Sequence, residues 1–214
     1  MKILALEFSS PQRSVAVADD GRAMSEVIET GASGTRAFGM IEAALREAKL
    51  EREQIECVVV GLGPGSYTGI RAAIALAQGW QLARGIKLLG ISSVEAIAVQ
   101  AQAEKIFGRV NVVIDAQRNE LYLATHEITA SGRKAIEPLR IVPLAEIQSR
   151  ASAGAIIVGP EVTRWFTTGR VLFPRAAALA QMAASRSDFE PGENLVPIYL
   201  RETNFVKAPP PRIL

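Results

Sequence analysis

From Ile70 to Ala83 the chain reads as a helix with apolar or small side chains on nearly every side: Ile70, Ala72, Ala73, Ile74, Ala75, Leu76, Ala77, Gly79, Trp80, Leu82 and Ala83. A helix that is apolar all round has to be buried on more than one face. One face can pack on a sheet, whereas the other needs a second lobe of the same chain or a second protein, and small residues there let another backbone come close. Gln78 and Gln81 interrupt the segment, which falls short of the roughly 20 residues that a bilayer span requires. No transmembrane helix is expected.

The residues before this helix narrow the fold further. Gln54 to Val60 reads as a short apolar strand, and Gly61-Leu62-Gly63-Pro64-Gly65-Ser66-Tyr67-Thr68-Gly69 joins it to the helix. A glycine-rich turn between a strand and a helix can wrap an anion, because backbone N–H groups approach it closely and the helix N-terminus adds a favourable partial charge. Gly63, Gly65, Ser66, Thr68 and Gly69 are therefore candidates for a nucleotide or phosphate loop. The same glycines also suit a tight turn with close helix packing. No Gly-Lys-Ser/Thr follows, and Thr68 stands where a dinucleotide fingerprint needs its third glycine, so neither of those two enzyme classes is indicated.

Lys2 to Phe8, Ser14 to Ala18 and Ala23 to Ile28 read as three strands, with Asp20-Gly21 as a turn. The loop Gly31-Ala32-Ser33-Gly34-Thr35 ends in a helix-capping residue, and Phe38, Ile41, Leu45 and Ala48 follow at helical spacing. The order βββαβα is the repeating half of the actin-like (ribonuclease H-like, ASKHA) nucleotide-binding fold, an α/β class. This likeness of topology speaks to fold and not to function. Lys87 to Ile91 is a further strand, and Ser92-Ser93-Val94-Glu95 has capping-box spacing for a helix through Ala103. A second block begins near Val110, with strands at Val110–Ala116, Leu121–Thr129, Ile136–Val142 and Ala155–Val158, a short helix from Pro143, a helix over Arg175–Ser187 and an extended tail from Pro197 to Pro211. The expected division is a first lobe over residues 1–105 and a smaller or degenerate second lobe over 106–214 that includes the tail.

Of the 214 residues 49% are hydrophobic and 21% charged, the balance of a soluble globular protein. Met1-Lys2 runs directly into Ile3–Leu6 and acidic Glu7, so a targeting peptide is not expected and the cytoplasm is the expected compartment. Cys57 is the single cysteine and His126 the single histidine; neither an internal disulfide nor a metal cluster is expected. Cys57 reads as a small buried hydrophobe and His126 as a strand residue facing solvent. Residues 1–130 carry 13 basic and 15 acidic groups and residues 131–214 carry 11 and 7. That bias is too mild for a protein that grips nucleic acid unaided.

Four segments together resemble one known family. Leu4-Ala5-Leu6-Glu7-Phe8-Ser9-Ser10, the GPGSYTGIR run from Gly63 to Arg71, Ile114-Asp115-Ala116-Gln117-Arg118-Asn119-Glu120-Leu121-Tyr122, and Pro197-Ile198-Tyr199-Leu200-Arg201 look like the TsaB family in order and spacing. The resemblance implies an actin-like fold of two lobes and a non-catalytic subunit that dimerises with the related catalytic protein TsaD, in a complex that includes the ATPase TsaE. That complex transfers a threonylcarbamoyl group from its adenylate to the adenosine beside the anticodon of tRNAs reading codons that begin with A. In the family, TsaD holds a metal through two histidines on a helix; a chain with only His126 supplies no such pair, so the resemblance implies no catalytic and no metal-binding residue here. The mild charge bias leaves tRNA to be met through the complex; no cofactor is expected on this chain alone, any ATP or ADP being expected at the joint interface; and the apolar face of the second helix suits a homodimer of the isolated protein.

Carried over residue by residue, Phe38, Ile41 and Leu45 on one helix and Ile70, Ala73, Ile74 and Ala77 on the next would meet TsaD. A bulky charge at Ala73 or Ala77 is then expected to break the contact and leave the fold intact. Members of the family usually have Asp-Thr near the end of the first strand, where this chain has Glu7-Phe8, which tells against independent nucleotide binding. The competing enzyme reading is a small actin-like ATP-dependent kinase, with Asp115 and then Glu7 as the candidate carboxylates. A protease built from Ser66 or Ser9 with His126 lacks the G-x-S-x-G elbow.

Overall fold

The computed structural model describes residues 1–31 and 36–201. The capping residue expected at Thr35 and the proline run at 209–211 lie outside the described residues. Two five-stranded sheets form the frame. In the first, β1 (Lys2–Glu7) is central; β2 (Gln12–Asp19) and β3 (Arg22–Thr30) pair antiparallel on one side, β4 (Cys57–Gly61) and β5 (Lys87–Ile91) parallel on the other, in the order β3-β2-β1-β4-β5. The second repeats the plan with β6 (Gly108–Asp115) central, antiparallel β7 (Glu120–Ile128) and β8 (Arg133–Pro143), and parallel β9 (Ile156–Gly159) and β10 (Arg170–Val171), in the order β10-β9-β6-β7-β8. The first lobe carries α1 (Ala37–Ala48), α2 (Tyr67–Arg84) and α3 (Ser93–Ala103); the second carries α4 (Leu144–Ser152) and α5 (Ala176–Ala183). In the place of α2, between β9 and β10, the second lobe has only a 3-10 turn at Val162–Arg164. It is a degenerate copy of the first.

The alternation of side chains along each strand assigns the layers. Leu4, Leu6, Val15, Val17, Val58 and Val60 face α1 and α2. Their neighbours Ile3, Ala5, Ala16, Ala18, Cys57 and Val59 face the other way, toward α3 and α5. The opposite side of α3, with Val94, Ile97, Ala98 and Ala101, packs on Val110, Val112, Tyr122 and Ala124 of the second sheet. Helix α4 and Phe166 close that sheet's far side. The order through the molecule is α1 and α2, first sheet, α3 and α5, second sheet, α4.

The two lobes thus exchange helices, since α5 follows the second sheet in sequence but rests on β1 to β4. Its N-terminus is held there by the first lobe. The Ala176 N–H donates to Ser14 Oγ at 2.8 Å, the Ala177 N–H donates to the Glu26 carboxylate at 3.1 Å, and Arg175 pairs with Glu26 at 2.6 Å. A carboxylate and a hydroxyl at the first turn satisfy N–H groups that have no partner within the helix. Among the described residues no helix is long and apolar enough to cross a membrane.

Cys57 is buried as expected, and burial pushes its thiol up to about 12. His126 departs from expectation. It is 7% exposed, because the inner face of β7 lies against the shared helical layer, and its Nδ1 has no hydrogen-bond partner among the described residues. Burial and then Arg133 push its pKa below the ordinary histidine value. The neutral ring is the folded form, so this group's contribution is complete above the unfolded pKa and is lost as pH falls from there through the lowered folded value. His126→Leu should therefore gain on the wild type in melting temperature between about pH 8 and about pH 5; a solvent-facing histidine would give the same gap at both ends.

Candidate functional site

The glycine-rich loop leaves β4, passes the end of β1 and enters α2, packed closely against the backbone that follows β1. The Ser66 N–H donates to the Ser9 carbonyl at 2.7 Å. A Cβ placed on Gly65 would collide with that same carbonyl, and one on Gly69 with the carbonyl of Phe8. These two glycines let the loop and the first turn of α2 close on the backbone leading from β1 to β2. Ser66 caps α2, its Oγ accepting from the Gly69 N–H at 3.3 Å. On the other side the Gly63 N–H donates to Ser93 Oγ at 3.1 Å and the Gly63 carbonyl accepts from the Ser93 N–H at 2.9 Å, which stitches the loop to the start of α3. Of the five loop candidates, Gly63, Gly65 and Gly69 sit in close backbone packing, Ser66 is a helix cap, and Thr68 is exposed.

Glu7 belongs to the same knot. Fully buried, its carboxylate accepts from the Ser9 N–H at 2.8 Å and from Ser93 Oγ at 2.8 Å, and Gly61 backs it so closely that any side chain there would overlap it. Burial pushes its pKa above the usual carboxylate range, with the hydrogen bonds from Ser9 and Ser93 opposing. A walled-in carboxyl whose oxygens are taken up by Ser9 and Ser93 does not position a metal or phosphate.

The lobes face each other across an open cleft of about 790 Å³, lined by Ser9, Ser10, Arg13 and Gly65–Thr68 from the first lobe and by Asp115, Gln117, Tyr122, Glu161 and Arg164 from the second. Asp115 is in the cleft, where its carboxylate accepts from the Gln117 N–H at 2.7 Å and pairs with Arg164 at 3.2 Å. The following three residues, Gln117, Arg118 and Asn119, all have positive φ, at 65, 58 and 59°. Each such non-glycine residue costs roughly 1–2 kcal/mol, so the turn persists only because its surroundings fix it. Leu144 N–H donates to the Asn119 carbonyl at 3.0 Å, and Arg201 donates to the Ala116 carbonyl at 2.8 Å while pairing with Glu120 at 2.6 Å. Two motifs that are far apart in sequence, one ending at Tyr122 and one at Arg201, therefore meet. The strain and its brace were not readable from the sequence, since no glycine marks the turn.

The proposed docking residues need correction. Ile41, Leu45, Ile70, Ala73, Ile74 and Ala77 are all buried in this chain's own core against the first sheet. Phe38, 69% exposed, is the one member of that set available to a partner. The outer side of α2 instead presents Thr68, Arg71, Ala75, Gly79 and Leu82, with Ala72 half-buried among them and Leu82 91% exposed. Both sides of α2 are small and apolar, so composition and periodicity do not tell which one the sheet takes. Among the described residues no group of three or more metal-ligating side chains converges. His126 borders a separate hollow with Glu95 and Arg133, apart from Ser9 and Ser66 in the cleft, so the protease constellation does not form.

Two copies of one β-sheet plan, exchanging helices and facing each other across a cleft, define a two-lobed actin-like protein. The family model described as TsaD, tRNA N6-adenosine threonylcarbamoyltransferase, matches residues 33–189. An uncharacterised protein of Mycobacterium tuberculosis strain H37Rv is 33% identical over 81% of this chain and 77% of its own length. The tRNA threonylcarbamoyladenosine biosynthesis protein TsaB of Escherichia coli is 28% identical over 94% of this chain and 95% of its own. The solved structure of YeaZ from Pseudomonas aeruginosa superposes with a TM-score of 0.77 at 26% identity, covering 93% of this chain and 99% of the other. The chain belongs to the TsaB (YeaZ) family, within the wider group that the TsaD model describes.

Two outcomes test the packed loop. Gly65→Ala should cost about 1–3 kcal/mol in denaturant unfolding, because the added methyl meets fixed backbone. Burial raises the folded pKa of Glu7, so its contribution is present below the unfolded pKa and is lost as pH rises through the raised folded value. Glu7→Gln should therefore gain on the wild type in melting temperature as pH rises above the ordinary carboxylate range; a gap that does not change with pH would contradict the raised pKa.

Proposed function

We propose that this protein serves tRNA N6-threonylcarbamoyladenosine formation as the non-catalytic partner of a TsaD-type subunit, binding it through the outer face of α1 and α2. The observation that carries the reading is the outer stripe of α2, where Ala72, Ala75, Gly79 and the exposed Leu82 recur at helical spacing, with exposed Phe38 added by α1 on the same side of the first sheet. Small residues at that spacing allow a second helix to approach at the short end of the usual 8–10 Å packing range. The name of the Escherichia coli relative and the TsaD family match support the process and the kind of partner. The same face can pair two copies when the partner is absent, since a self-complementary patch closes on a two-fold axis. TsaE and tRNA would be engaged through the complex, in the cytoplasm, with any ATP or ADP at the joint interface.

The non-catalytic role is supported by the enclosure of Glu7 and by the pairing of Asp115 with Arg164. A kinase needs a carboxylate free to position metal or to take the acceptor's proton, and neither candidate is free.

The test is size-exclusion chromatography with light scattering on the protein mixed with TsaD from the same organism. A heterodimer peak is expected for the wild type and its loss for Ala75→Arg and Gly79→Arg, each keeping its own melting temperature. Ala73→Arg should instead unfold the protein, by several kcal/mol, because it buries an unpaired charge. Complex formation undiminished in Ala75→Arg and Gly79→Arg would rule out the outer face of α2.

A further inference from the structure

The segment after α5 crosses to the other side of the first sheet and runs antiparallel along α2. Near the C-terminal half of the helix, Gln78 Nε2 donates to the Gly192 carbonyl at 2.8 Å and the Gly192 N–H donates to Gln81 Oε1 at 2.7 Å. Leu195 then enters the core beneath α2, and the Ile198 N–H donates to the Leu62 carbonyl at 2.9 Å. At the start of the helix Tyr199 stacks on Tyr67, with ring centroids 5.6 Å apart, and the Arg71 guanidinium lies 4.1 Å from the Tyr67 ring centre. The strap is fixed at both ends of the helix.

Its composition is unusual for a surface segment held this firmly. From Pro191 to Leu200 it has one charged side chain, Glu193, and it exposes Val196 (62%), Tyr199 and Leu200. With Tyr67 and Leu82 these make five of the eleven exposed large apolar side chains among the described residues, all on α2 and the strap beside it. Exposed apolar side chains gathered along one helix and the strap beside it point to an interaction site. Because backbone hydrogen bonds and Leu195 already anchor the strap, its side chains are presented without further ordering, which lowers the cost of binding. Arg71 forms no ion pair among the described residues, so the same edge offers a cation to a partner's carboxylate.

We propose that the strap is a second half of the docking surface: the TsaD-type subunit contacts Val196, Tyr199 and Leu200 together with the outer face of α2, and places an acidic side chain against Arg71. This rests on the α2 reading given above. Titration calorimetry of the full chain with TsaD from the same organism tests it. Val196→Asp and Tyr199→Ala should each weaken binding about tenfold or more while the melting temperature stays near that of the wild type. Tyr199→Phe, which keeps the stack, should bind as the wild type, and Arg71→Glu should lose more than Arg71→Ala. Strap variants that bind normally beside a dead Ala75→Arg would overturn the strap and leave the α2 face standing. Normal binding by Ala75→Arg would remove both. Strap variants that change only the self-association of the isolated protein would assign the surface to a second copy of this chain and overturn the proposal as well.

Discussion

Both sheets rest on one helical layer, and the rest of the molecule follows from that sharing. Helix α3 is covered on both sides, by Ile3, Cys57 and Val59 of the first sheet and by Val110, Val112 and Tyr122 of the second. Helix α5, though it follows the second sheet in the chain, is anchored to the first by Ser14 and Glu26. With that side of the first sheet occupied from within, α1 and α2 are left on the outside with one face down and one face free. The exposed outer face of these helices is thus a consequence of how the lobes are joined.

The same economy of space explains the glycine-rich loop. In a nucleotide binder such a loop leaves room for phosphate against its N–H groups. Here the carbonyls of Phe8 and Ser9 come so close that Gly65 and Gly69 admit no side chain, and Ser66 donates to one of those carbonyls. The loop has the sequence of an anion cradle and the packing of a structural joint. Its product is a rigid start to α2, with Tyr67 turned outward to receive Tyr199 and Arg71.

The strained turn at Gln117–Asn119 adds a second fixed point. Three left-handed residues in succession are held by Leu144 from one side and by Arg201 from the other. Since the strap bearing Arg201 also grips α2 through Gln78 and Gln81, the outer face of the first lobe and the cleft-lining turn of the second are joined by a single run of chain. Relative movement of the lobes would have to break charged hydrogen bonds at that point.

Apart from the two-residue β10, the element order, the two-lobe plan and the place of the strand-to-helix loop were legible in the sequence, because hydrophobic period and turn residues are local properties: the meander up to Thr30, the apolar run of β4 and the serine cap at Ser92 each announce themselves within a few residues. What the sequence left undecided was direction. His126 sits in an alternating strand whose faces look alike on paper, and only the shared helical layer decides that its side is buried. Helix α2 has two small apolar faces, and only the sheet beneath it decides that Ala73 and Ala77 point in while Ala75 and Gly79 point out. The meeting of Arg201 with the Ala116 carbonyl spans 85 positions, and no local pattern encodes it. Local chemistry determined which elements form; burial, which is a property of the whole assembly of elements, decided which of their faces remain for function.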